Sequence, residues 1–590
     1  MAPKMKKPGM PGMTIYFDQY NPNDEKGTDV RRSLADLDYS PLKRLTGQSI
    51  AMAMLVSMGG LIFGYDTGQI SGFLELPDFL ERFGQPGPDG EAQFSNVRSG
   101  LIVAMLSIGT LIGALAAAPI ADRMGRRLSI SLWCFVCGIG FLVQITAFHA
   151  WYQIMIGRII AGFGVGALSL LVPMYQAETA PPWIRGAMVC TYQLFITLGI
   201  FLAACFNFGV YEHQRNSSAS WRIVIGVGYA FLIILGVGII FFPETPRYAY
   251  RVGRKEEAKE TLCKVYGAPP NHYSIYTQME EIEAKFISEK HIKGGPLSEM
   301  ASMLRAPRVA HRLALGMGLQ MFQQLTGANY FFYYGTTIFQ SVQINSYVTQ
   351  MILNGINFGS TFIGLYIVEH YGRRKSLIFG SIWMFCCFLV FASVGHFSLD
   401  QTDPTRTPQA GITLICFASF FIWGYAITWG PQVWALISEL FPSRYRAKGM
   451  ALSTASNWMW NFLLAFFTPF ITGAIDFRYG YVFAACNFMG GLIVYFFLIE
   501  GQGRTLEEID TMYLEKVSPM KSSKWVPPSA EDMARIRRQA GTDETAAVMN
   551  NSDDVEQRGT FSGETERGSD GMMRKHEDET VQHREGGVIR

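Results

Sequence analysis

Long apolar runs limit the folds open to this chain more than any other feature of its sequence. About twelve runs of close to 20 residues lie between residues 49 and 500, for example 102–118 and 483–499, and few charged residues interrupt them. A helix of about 20 apolar residues is long enough to cross the hydrocarbon core of a bilayer. The pattern therefore predicts an all-α membrane protein and argues against a large soluble enzyme with buried helices.

We predict twelve transmembrane helices in two pseudo-symmetric bundles of six. The expected domains are an amino-terminal tail (1–48), a first six-helix bundle (49–242), a linker with short helices (243–311), a second six-helix bundle (312–500) and a largely disordered tail (501–590), with both tails and the linker in the cytoplasm. The expected helices span residues 49–73, 98–121, 129–148, 151–175, 187–210, 221–242, 312–340, 347–369, 376–397, 410–438, 449–473 and 478–500.

The short loops differ in charge between the two sides of the predicted bundles. Ten arginines and lysines lie in loops on the side of the amino terminus, whereas six arginines and no lysine lie on the other side or at its edges. Loops rich in Lys and Arg remain in the cytoplasm, so both termini are expected there. The first 48 residues are polar and contain no cleavable signal, so the first span is expected to direct insertion.

Two polar segments flank the second predicted bundle. The linker is rich in Glu, Lys and Tyr, which is typical of short amphipathic helices, and it serves either as a plain linker or as support for a gate. From Pro519 onward every apolar run is gone, and charged residues, Gly, Ser and Thr dominate. Such a stretch buries too little apolar surface to fold, so we expect disorder there.

Three short motifs occur twice, once in each predicted bundle. Matching positions are about 250 residues apart, which indicates an internal duplication. A duplicated block of six helices is the plan of a carrier whose halves rock around a central site. The first set is Asp122-Arg-Met-Gly125-Arg126-Arg127, Glu178-Thr-Ala-Pro181 with Arg185, and Pro243-Glu244-Thr245-Pro246-Arg247; the second is Glu369-His-Tyr-Gly372-Arg373-Arg374, Glu439-Leu-Phe-Pro442 with Arg446, and Glu500-Gly-Gln-Gly503-Arg504.

The charged residues of these motifs are candidates for a cytoplasmic gate. Glycine permits the tight turn between two helices, and the arginines can pair with carboxylates at neighbouring helix ends. Anchoring by positive charge explains the arginines alone, but not the recurrence of carboxylate, glycine and arginine at one spacing. The predicted gate residues are Asp122, Arg126, Arg127, Glu178, Arg185, Glu244, Arg247, Glu369, Arg373, Arg374, Glu439, Arg446 and Glu500.

Asp66 and Arg158 are the strong candidates for ionisable groups deep inside the first bundle. A charge at that depth is costly unless it is paired, so we predict that the two side chains face each other across the first and fourth spans. The run Gly162-x-Gly164-x-Gly166 is not expected to hold a nucleotide, because no strand precedes it. Close packing of helices accounts for these glycines.

These motifs make the sequence resemble the sugar porters of the major facilitator superfamily, and fungal hexose transporters in particular. The resemblance covers residues 49–512 and departs from the family at 499–503, where a Pro-Glu-Thr-Lys-Gly run is usual. It implies a major facilitator fold and transport of glucose or another hexose across the plasma membrane by alternating access. The further matching motifs are Phe63-Gly-Tyr-Asp66-Thr-Gly, Gly157-Arg158, Gln323-Gln324-Leu-Thr-Gly327-Ala-Asn329 and Trp429-Gly-Pro431.

A sugar site needs neutral amides, which both donate and accept hydrogen bonds, and aromatic planes. On an unbroken helix Gln323 and Asn329 would point about 120° apart, so we expect a break at Thr326-Gly327. The bland interpretation of any single amide is hydrogen bonding between helices, and that of a tryptophan is packing. The seventh span supplies Gln323, Gln324, Asn329 and Tyr333, and correspondence with the family adds Gln193, Asn357, Trp434, Asn457 and Trp458, with Asn461 one turn further.

The resemblance leaves the coupling and the exact role open. In proton-coupled relatives the aspartate at position 66 carries the proton and releases the arginine, but passive relatives have the same pair, so proton symport and facilitated diffusion both remain. A glucose sensor that signals through its tail, and a carrier of another sugar, a polyol or quinate, are the alternatives. We expect no enzymatic activity, no metal and no cofactor other than a co-transported proton. The expected partners are the sugar, the bilayer and regulators of the tail, and no nucleic acid.

Overall fold

The computed structural model of this chain is almost entirely helical. It describes residues 46–528, except 88–91, 182–183, 291–295, 341–344, 401–405, 443–444, 503 and 505. It also describes residues 37, 38 and 40 before this range and 532, 533, 535, 536 and 539 after it. The one pair of strands in this part is a two-residue antiparallel pair, β1 (Gln85–Pro86) and β2 (Ala92–Gln93). The predicted all-α class is confirmed.

The first half consists of six long helices and one short one. The helices are α1 (Gly47–Phe73), α2 (Pro77–Phe83), α3 (Asn96–Met124), α4 (Arg126–Ile145), α5 (Trp151–Thr179), α6 (Arg185–Gln214) and α7 (Ala219–Gly238). Side-chain oxygens cap two of them, because the first N–H groups of a helix have no partner within it. Thr46 accepts from Ser49 N at the start of α1, and Ser95 accepts from Arg98 N at the start of α3.

Four short helices and a second set of long helices follow. The linker contains α8 (Pro246–Arg251), α9 (Lys255–Tyr266), α10 (Tyr273–Lys290) and α11 (Pro296–Arg305). The second half contains α12 (Val309–Leu325), α13 (Ala328–Gln340), α14 (Ser346–His370), α15 (Arg373–Ser393), α16 (Pro408–Ile427), α17 (Trp429–Leu440), α18 (Arg446–Ile475) and α19 (Tyr479–Phe497), and α20 (Leu506–Leu514) comes after it.

The long helices coincide with the predicted spans to within a few residues. Nine segments of the described chain are long and apolar enough to cross a membrane, and two of these, Pro408–Leu440 and Lys448–Phe497, each contain two helices. Two predicted spans are each divided between two helices, 312–340 between α12 and α13 and 410–438 between α16 and α17. The first division was expected and the second was not.

Glycines allow α3 and α5 to approach each other closely. A Cβ atom added at Gly113 would lie 2.1 Å from the Phe163 carbonyl oxygen, and one added at Gly166 would lie 2.1 Å from the Thr110 carbonyl oxygen. Only a residue without a side chain fits such a contact between two helix backbones. The interpretation of the Gly162–Gly166 run as a packing surface is therefore confirmed.

The tail beyond the last span differs from the expectation in its first part. Helix α20 is joined to the second half by Asp510, which accepts from Arg312 Nη1 of α12 at 2.6 Å, and a 3-10 turn over Pro519–Lys524 follows the helix. Ser522 in that turn is buried and accepts a hydrogen bond from Glu500 N at 3.1 Å. Polar contacts with the helix ends thus order residues 519–528, which have no apolar run of their own. Apart from a few residues between 532 and 539, the later tail lies outside the described residues.

Candidate functional site

One cavity between the two halves collects every residue that the sequence predicted as a substrate ligand. The first half contributes Gln193 on α6, and all the other predicted ligands come from the second half. Phe63 and Thr67 on α1 and Thr197 on α6 also line the cavity but were not predicted, although Thr197 follows Gln193 by one helical turn. The predicted ligands in its lining are Gln193, Gln323, Gln324, Asn329, Tyr333, Asn357, Trp434, Asn457 and Trp458, with Asn461 beside them.

A break between α12 and α13 brings the predicted ligands of the seventh span together. Helix α12 ends at Leu325, and Gly327 adopts a φ of 93°, a left-handed conformation that favours glycine. The freed backbone is paired again, because Asn487 Nδ2 donates to the Thr326 carbonyl oxygen at 2.9 Å. The predicted break at Thr326-Gly327 is confirmed, and it lets Gln323 and Asn329 face one cavity.

A second break, between α16 and α17, was not predicted. It lies at Thr428, whose φ and ψ are −118° and −85°. Pro431 has no N–H to donate to the Ile427 carbonyl oxygen, four residues earlier. The side-chain Nε2 of Gln432 donates to that oxygen instead, at 3.5 Å. Gln323 Nε2 donates to the carbonyl oxygens of Trp429 and Gly430 at 3.0 and 2.9 Å. Gly430-Pro431 was the sequence signal that predicts such a break.

The amides around the cavity hydrogen-bond to one another. Gln324 Oε1 accepts from Asn329 Nδ2 at 2.5 Å and from Asn461 Nδ2 at 3.1 Å, while Gln324 Nε2 donates to Asn457 Oδ1 at 2.9 Å. Asn457 Nδ2 in turn donates to Gln323 Oε1 at 2.8 Å. These bonds hold the amides in defined positions, and each can be exchanged for a bond to a hydroxyl group because an amide both donates and accepts.

Polar and aromatic contacts of the cavity also join the two halves. Asn461 Oδ1 accepts from Ser107 Oγ on α3 at 2.5 Å and from Tyr333 at 3.0 Å. The Phe63 ring on α1 packs edge to face with the Trp458 ring on α18, with centroids 5.4 Å apart. Among the described lining residues there is no Asp, Glu, Lys or Arg. A neutral cavity with amides and ring planes suits an uncharged ligand rich in hydroxyl groups.

The predicted pair Asp66 and Arg158 does face across α1 and α5. Arg158 Nη1 lies 3.9 Å from Asp66 Oδ1, and both side chains are 0 % exposed. The carboxyl group also accepts from Gln69 Nε2, a partner that the sequence analysis did not name. The first half therefore buries one pair of opposite charges beside the neutral cavity.

In the first half, one buried carboxylate holds the turn between α3 and α4. Glu244 accepts from Arg126 N at 3.0 Å and from Arg127 N at 3.2 Å. Arg126 Nη2 pairs with Glu178 Oε1 at 3.2 Å. Burial raises the pKa of the Glu244 carboxyl, and the backbone N–H groups of Thr245, Arg127 and Arg126 oppose that rise. These contacts join the ends of α3, α4 and α5 to the segment before α8.

The second half repeats this arrangement at the turn between α14 and α15. Glu500 accepts from Arg373 N at 3.0 Å and from Arg374 N at 3.1 Å. Arg373 Nη2 pairs with Glu439 Oε1 at 2.8 Å. Glu500 thus makes the contacts of Glu244, although the residues around it depart from the usual run of the family. We call the face of the protein that carries both turns the arginine face.

Only some of the remaining predicted gate residues have a described charged partner. Asp122 is half exposed and pairs with Arg251 of α8 at 2.7 Å, and Arg126 Nη2 lies 3.5 Å from it. Arg247 is partly buried in α8 and has no ion-pair partner within the described chain. Arg446 lies near enough to Glu439 for an electrostatic interaction. The side chains of Arg185 and Glu369 lie outside the described residues.

None of the ion pairs described at the arginine face joins one half to the other, whereas other contacts at the opposite face do join the halves. Tyr347 of α14 donates to the Gly72 carbonyl oxygen at 2.8 Å, and Thr337 of α13 donates to Glu75 at 2.6 Å. The Tyr211 and Tyr347 rings stack at 4.2 Å. The predicted gating role of the paired turns therefore stays a prediction, and their observed role is to hold each half together.

Comparison with known proteins identifies the family of this chain. Residues 52–513 match the family model described as "Sugar (and other) transporter". The high-affinity glucose transporter ght2 of Schizosaccharomyces pombe is 44% identical over 484 residues, which is 81% of this chain and 90% of that protein. The low-affinity glucose transporter HXT1 of Saccharomyces cerevisiae is 44% identical over 479 residues, 81% of this chain and 83% of that protein.

Solved structures agree with the fold. The inward open conformation of the xylose transporter XylE from E. coli has a TM-score of 0.64 at 25% identity and covers 79% of this chain and 99% of that chain. The structure described as the proton:xylose symporter XylE bound to 6-bromo-6-deoxy-D-glucose has a TM-score of 0.66 at 25% identity, with the same coverage. The chain belongs to the sugar transporter family, within the major facilitator superfamily.

Proposed function

We propose that this protein carries monosaccharides, glucose and similar hexoses first among them, across the plasma membrane by alternating access. The observation that carries the proposal is the convergence of nine predicted ligands from both halves on one neutral cavity. The similar fungal proteins are named as glucose and hexose transporters, which supports the same substrate class here. The proposed mechanism involves no covalent chemistry and no enzymatic activity.

In this mechanism the sugar enters by exchanging hydrogen bonds. Its hydroxyl groups replace some of the bonds among Gln324, Asn329 and Asn457, so few buried amide groups lose a partner when the sugar binds. The indole N–H of Trp458 has no hydrogen-bond partner within the described chain and is a donor that a ligand can use. Gln193 and Thr197 lie in the first half, whereas the other ligands lie in the second half. A bound sugar therefore bridges the two halves and favours their movement toward each other.

For the coupling we propose proton symport, with Asp66 as the proton carrier and Arg158 as its counter-charge. Two observations support it: both side chains are 0 % exposed and adjacent, and a structural neighbour is named as a proton:xylose symporter. Protonation of Asp66 neutralises the carboxylate and weakens its attraction to Arg158, which frees α1 and α5 to shift relative to each other.

We further propose that the arginine face and both termini are cytoplasmic, and that the paired turns act as gate elements. The excess of Lys and Arg on this side supports the orientation. The start of α1 contacts the linker there, where Ser49 Oγ donates to the Val265 carbonyl oxygen at 2.8 Å. The first part of the tail packs on the same face, beside Glu500.

Radiolabelled uptake in a host that lacks hexose transport tests the function. We expect glucose uptake that unlabelled hexoses inhibit most strongly, with weaker inhibition by xylose, maltose and quinate. The same measurement with a protonophore tests the coupling, and we expect it to abolish accumulation above the external concentration. Strong inhibition by quinate or maltose alone would assign a different substrate, whereas accumulation that resists the protonophore would leave a carrier without proton coupling.

A glucose sensor on the same scaffold is the second candidate. The packing of α20 and Ser522 on the second half favours it, because a tail anchored in this way can follow movements of the helices. Truncation after Pro528 removes the later tail and retains these contacts. Full uptake with loss of glucose signalling in the truncated protein would favour the sensor. If both uptake and signalling are unchanged, the protein is a carrier without this sensor role.

A further inference from the structure

The buried Asp66 carboxyl has a nearer neighbour than Arg158. Gln69, one turn further along α1, donates its amide N–H to Asp66 Oδ1 at 2.5 Å, whereas the Arg158 guanidinium lies 3.9 Å from the same oxygen. Both Gln69 and Asp66 are 0 % exposed. At these distances the amide makes a hydrogen bond and the guanidinium makes only an electrostatic contact.

We propose that Gln69 is a positioning residue that holds the Asp66 carboxyl in both of its protonation states. The proposal rests on the proton coupling proposed above, and it adds a residue to that step. Gln69 Oε1 and Asp66 Oδ2 are both buried and have no hydrogen-bond partner among the described residues. A carboxylate and a carboxylic acid need different partners, and an amide offers both a donor and an acceptor.

The two side chains can hydrogen-bond to each other both before and after Asp66 binds a proton. In the ionised state the Gln69 N–H donates to the carboxylate oxygen, as the structure describes. When a proton binds Asp66, the new O–H group becomes a donor, and a rotation of the Gln69 amide presents Oε1 as its acceptor. The carboxyl therefore stays hydrogen-bonded while its attraction to Arg158 is lost. Without this acceptor a buried acid would lose a hydrogen bond in the protonated state.

The other groups near Asp66 do not offer both a donor and an acceptor to its carboxyl group. Arg158 of α5 carries a permanent charge and has no acceptor. Cys137 of α4 and Tyr333 of α13 interact with Asp66 electrostatically but are neutral in their ordinary state at physiological pH. No charged side chain of α6 or α7 within the described chain acts on Asp66. Among these neighbours, Gln69 is therefore the one that can both donate to the carboxylate and accept from the acid.

Gln69→Met tests the proposal, because it removes the donor and the acceptor and keeps an unbranched side chain of similar length. Proton binding is measured on the purified full-length protein by infrared spectroscopy, as the C=O band of the protonated acid that Asp66→Asn abolishes. Both protonation states lose a hydrogen bond in this variant, but a bond to the ionised carboxylate is roughly twice as strong as one to the neutral acid, so we expect the titration midpoint to rise by about one pH unit. The pH of half-maximal glucose uptake should move in the same direction.

Gln176→Met is the matched control. Gln176 is another fully buried glutamine of the first half, and its amide donates to the uncharged Ser57 Oγ at 2.9 Å. Its replacement should leave the Asp66 midpoint unchanged. Gln69→Asn, which keeps the amide but shortens the side chain, gives a second measurement if Gln69→Met does not fold, and the midpoint should again rise.

The outcomes separate this proposal from proton coupling itself. An unchanged midpoint in a folded Gln69 variant would overturn the role of Gln69. A raised midpoint together with wild-type accumulation that ignores a protonophore would uphold Gln69 as the partner of Asp66 and overturn proton coupling. A midpoint that rises equally in Gln176→Met would also overturn the proposal, because it would show a general effect of losing a buried amide.

Discussion

The two halves of the protein are nearly identical at their arginine-face turns and differ in their interiors. Gly125 and Gly372 start the second helix of each turn at φ values of 89° and 85°, and the next residue donates its backbone N–H to a carboxylate at 3.0 Å in both halves. These contacts depend on a few backbone positions and one carboxylate. Such a turn survives duplication because its geometry tolerates little change.

The interiors place different polar groups at their centres. In the first half the buried polar centre is the charged pair of Asp66 and Arg158, and the second half instead places a network of amides around Gln324. Neutral amides bind a ligand by exchange of hydrogen bonds, whereas a buried carboxyl responds to protons. Under the proposed function, the first bundle is suited to binding the proton and the second to supplying most of the hydrogen bonds to the sugar.

The largest effect that tests this division should come from Arg158→Leu. It leaves the fully buried Asp66 without a counter-charge, which is expected to cost about 3–5 kcal/mol of stability and to abolish uptake. The melting temperature of the purified protein measures the loss. Adding Asp66→Asn removes the unpaired charge, and the double variant should regain most of the melting temperature but not the accumulation of glucose. A single variant as stable as the wild type would contradict the pairing.

Alanine at the two turn glycines is expected to have the next largest effect. A side chain at a positive φ costs about 1–2 kcal/mol, and a new Cβ would meet a Glu244 oxygen at 2.3 Å in Gly125→Ala but a Gln502 oxygen at 2.8 Å in Gly372→Ala. The loss of maximal uptake rate and of thermal stability should therefore be larger at Gly125. Gly209→Ala is the control, because its Cβ would meet nothing within 4 Å. Equal tolerance of all three would refute the importance of the turns.

Two substitutions test the role of the amide network in the second half. Asn329→Ala removes one donor to Gln324, and the lost hydrogen bond of about 1 kcal/mol should raise KM several-fold at unchanged surface expression. Gln323→Ala also frees two carbonyl oxygens at the start of α17, so it should lower thermal stability as well as affinity. Concentration-dependent uptake and melting temperature separate the two. Unchanged uptake in both variants would refute the placement of the sugar site.

The smallest expected effect concerns a contact that we describe in the second half only. Ser522→Ala removes the hydroxyl that accepts from Glu500 N, and we expect a loss of about 1 kcal/mol of stability with uptake preserved. Ser523 is exposed in the same turn, and Ser523→Ala is the matched control. A fall of the melting temperature in both variants, or in neither, would argue that the contact contributes nothing specific.

Part of the site was predictable from short motifs, and the rest came from correspondence with the family, which supplied Gln193, Asn357, Trp434, Asn457 and Trp458. The break in the seventh span followed from the spacing of Gln323 and Asn329 around a glycine, and the partners of Arg126 and Arg373 followed from the repeated carboxylates. The pairing of Asp122 with Arg251 and the hydrogen bond from Gln69 to Asp66 were not predicted. Nothing in a single sequence ranks two neighbours of one carboxyl, because their distances depend on how each helix is rotated.

The helical class, the approximate ends of the spans, the duplication and the two glycine turns could be predicted from the residues alone. These features depend on hydrophobicity and on backbone sterics, which act over a few residues along the chain. The packed helices were needed to show which side chains meet in the central cavity, that none of the described ion pairs of the arginine face joins the two halves, and that Ser522 lies beside Glu500. Those contacts join residues far apart in the chain, and their formation depends on the relative positions of packed helices.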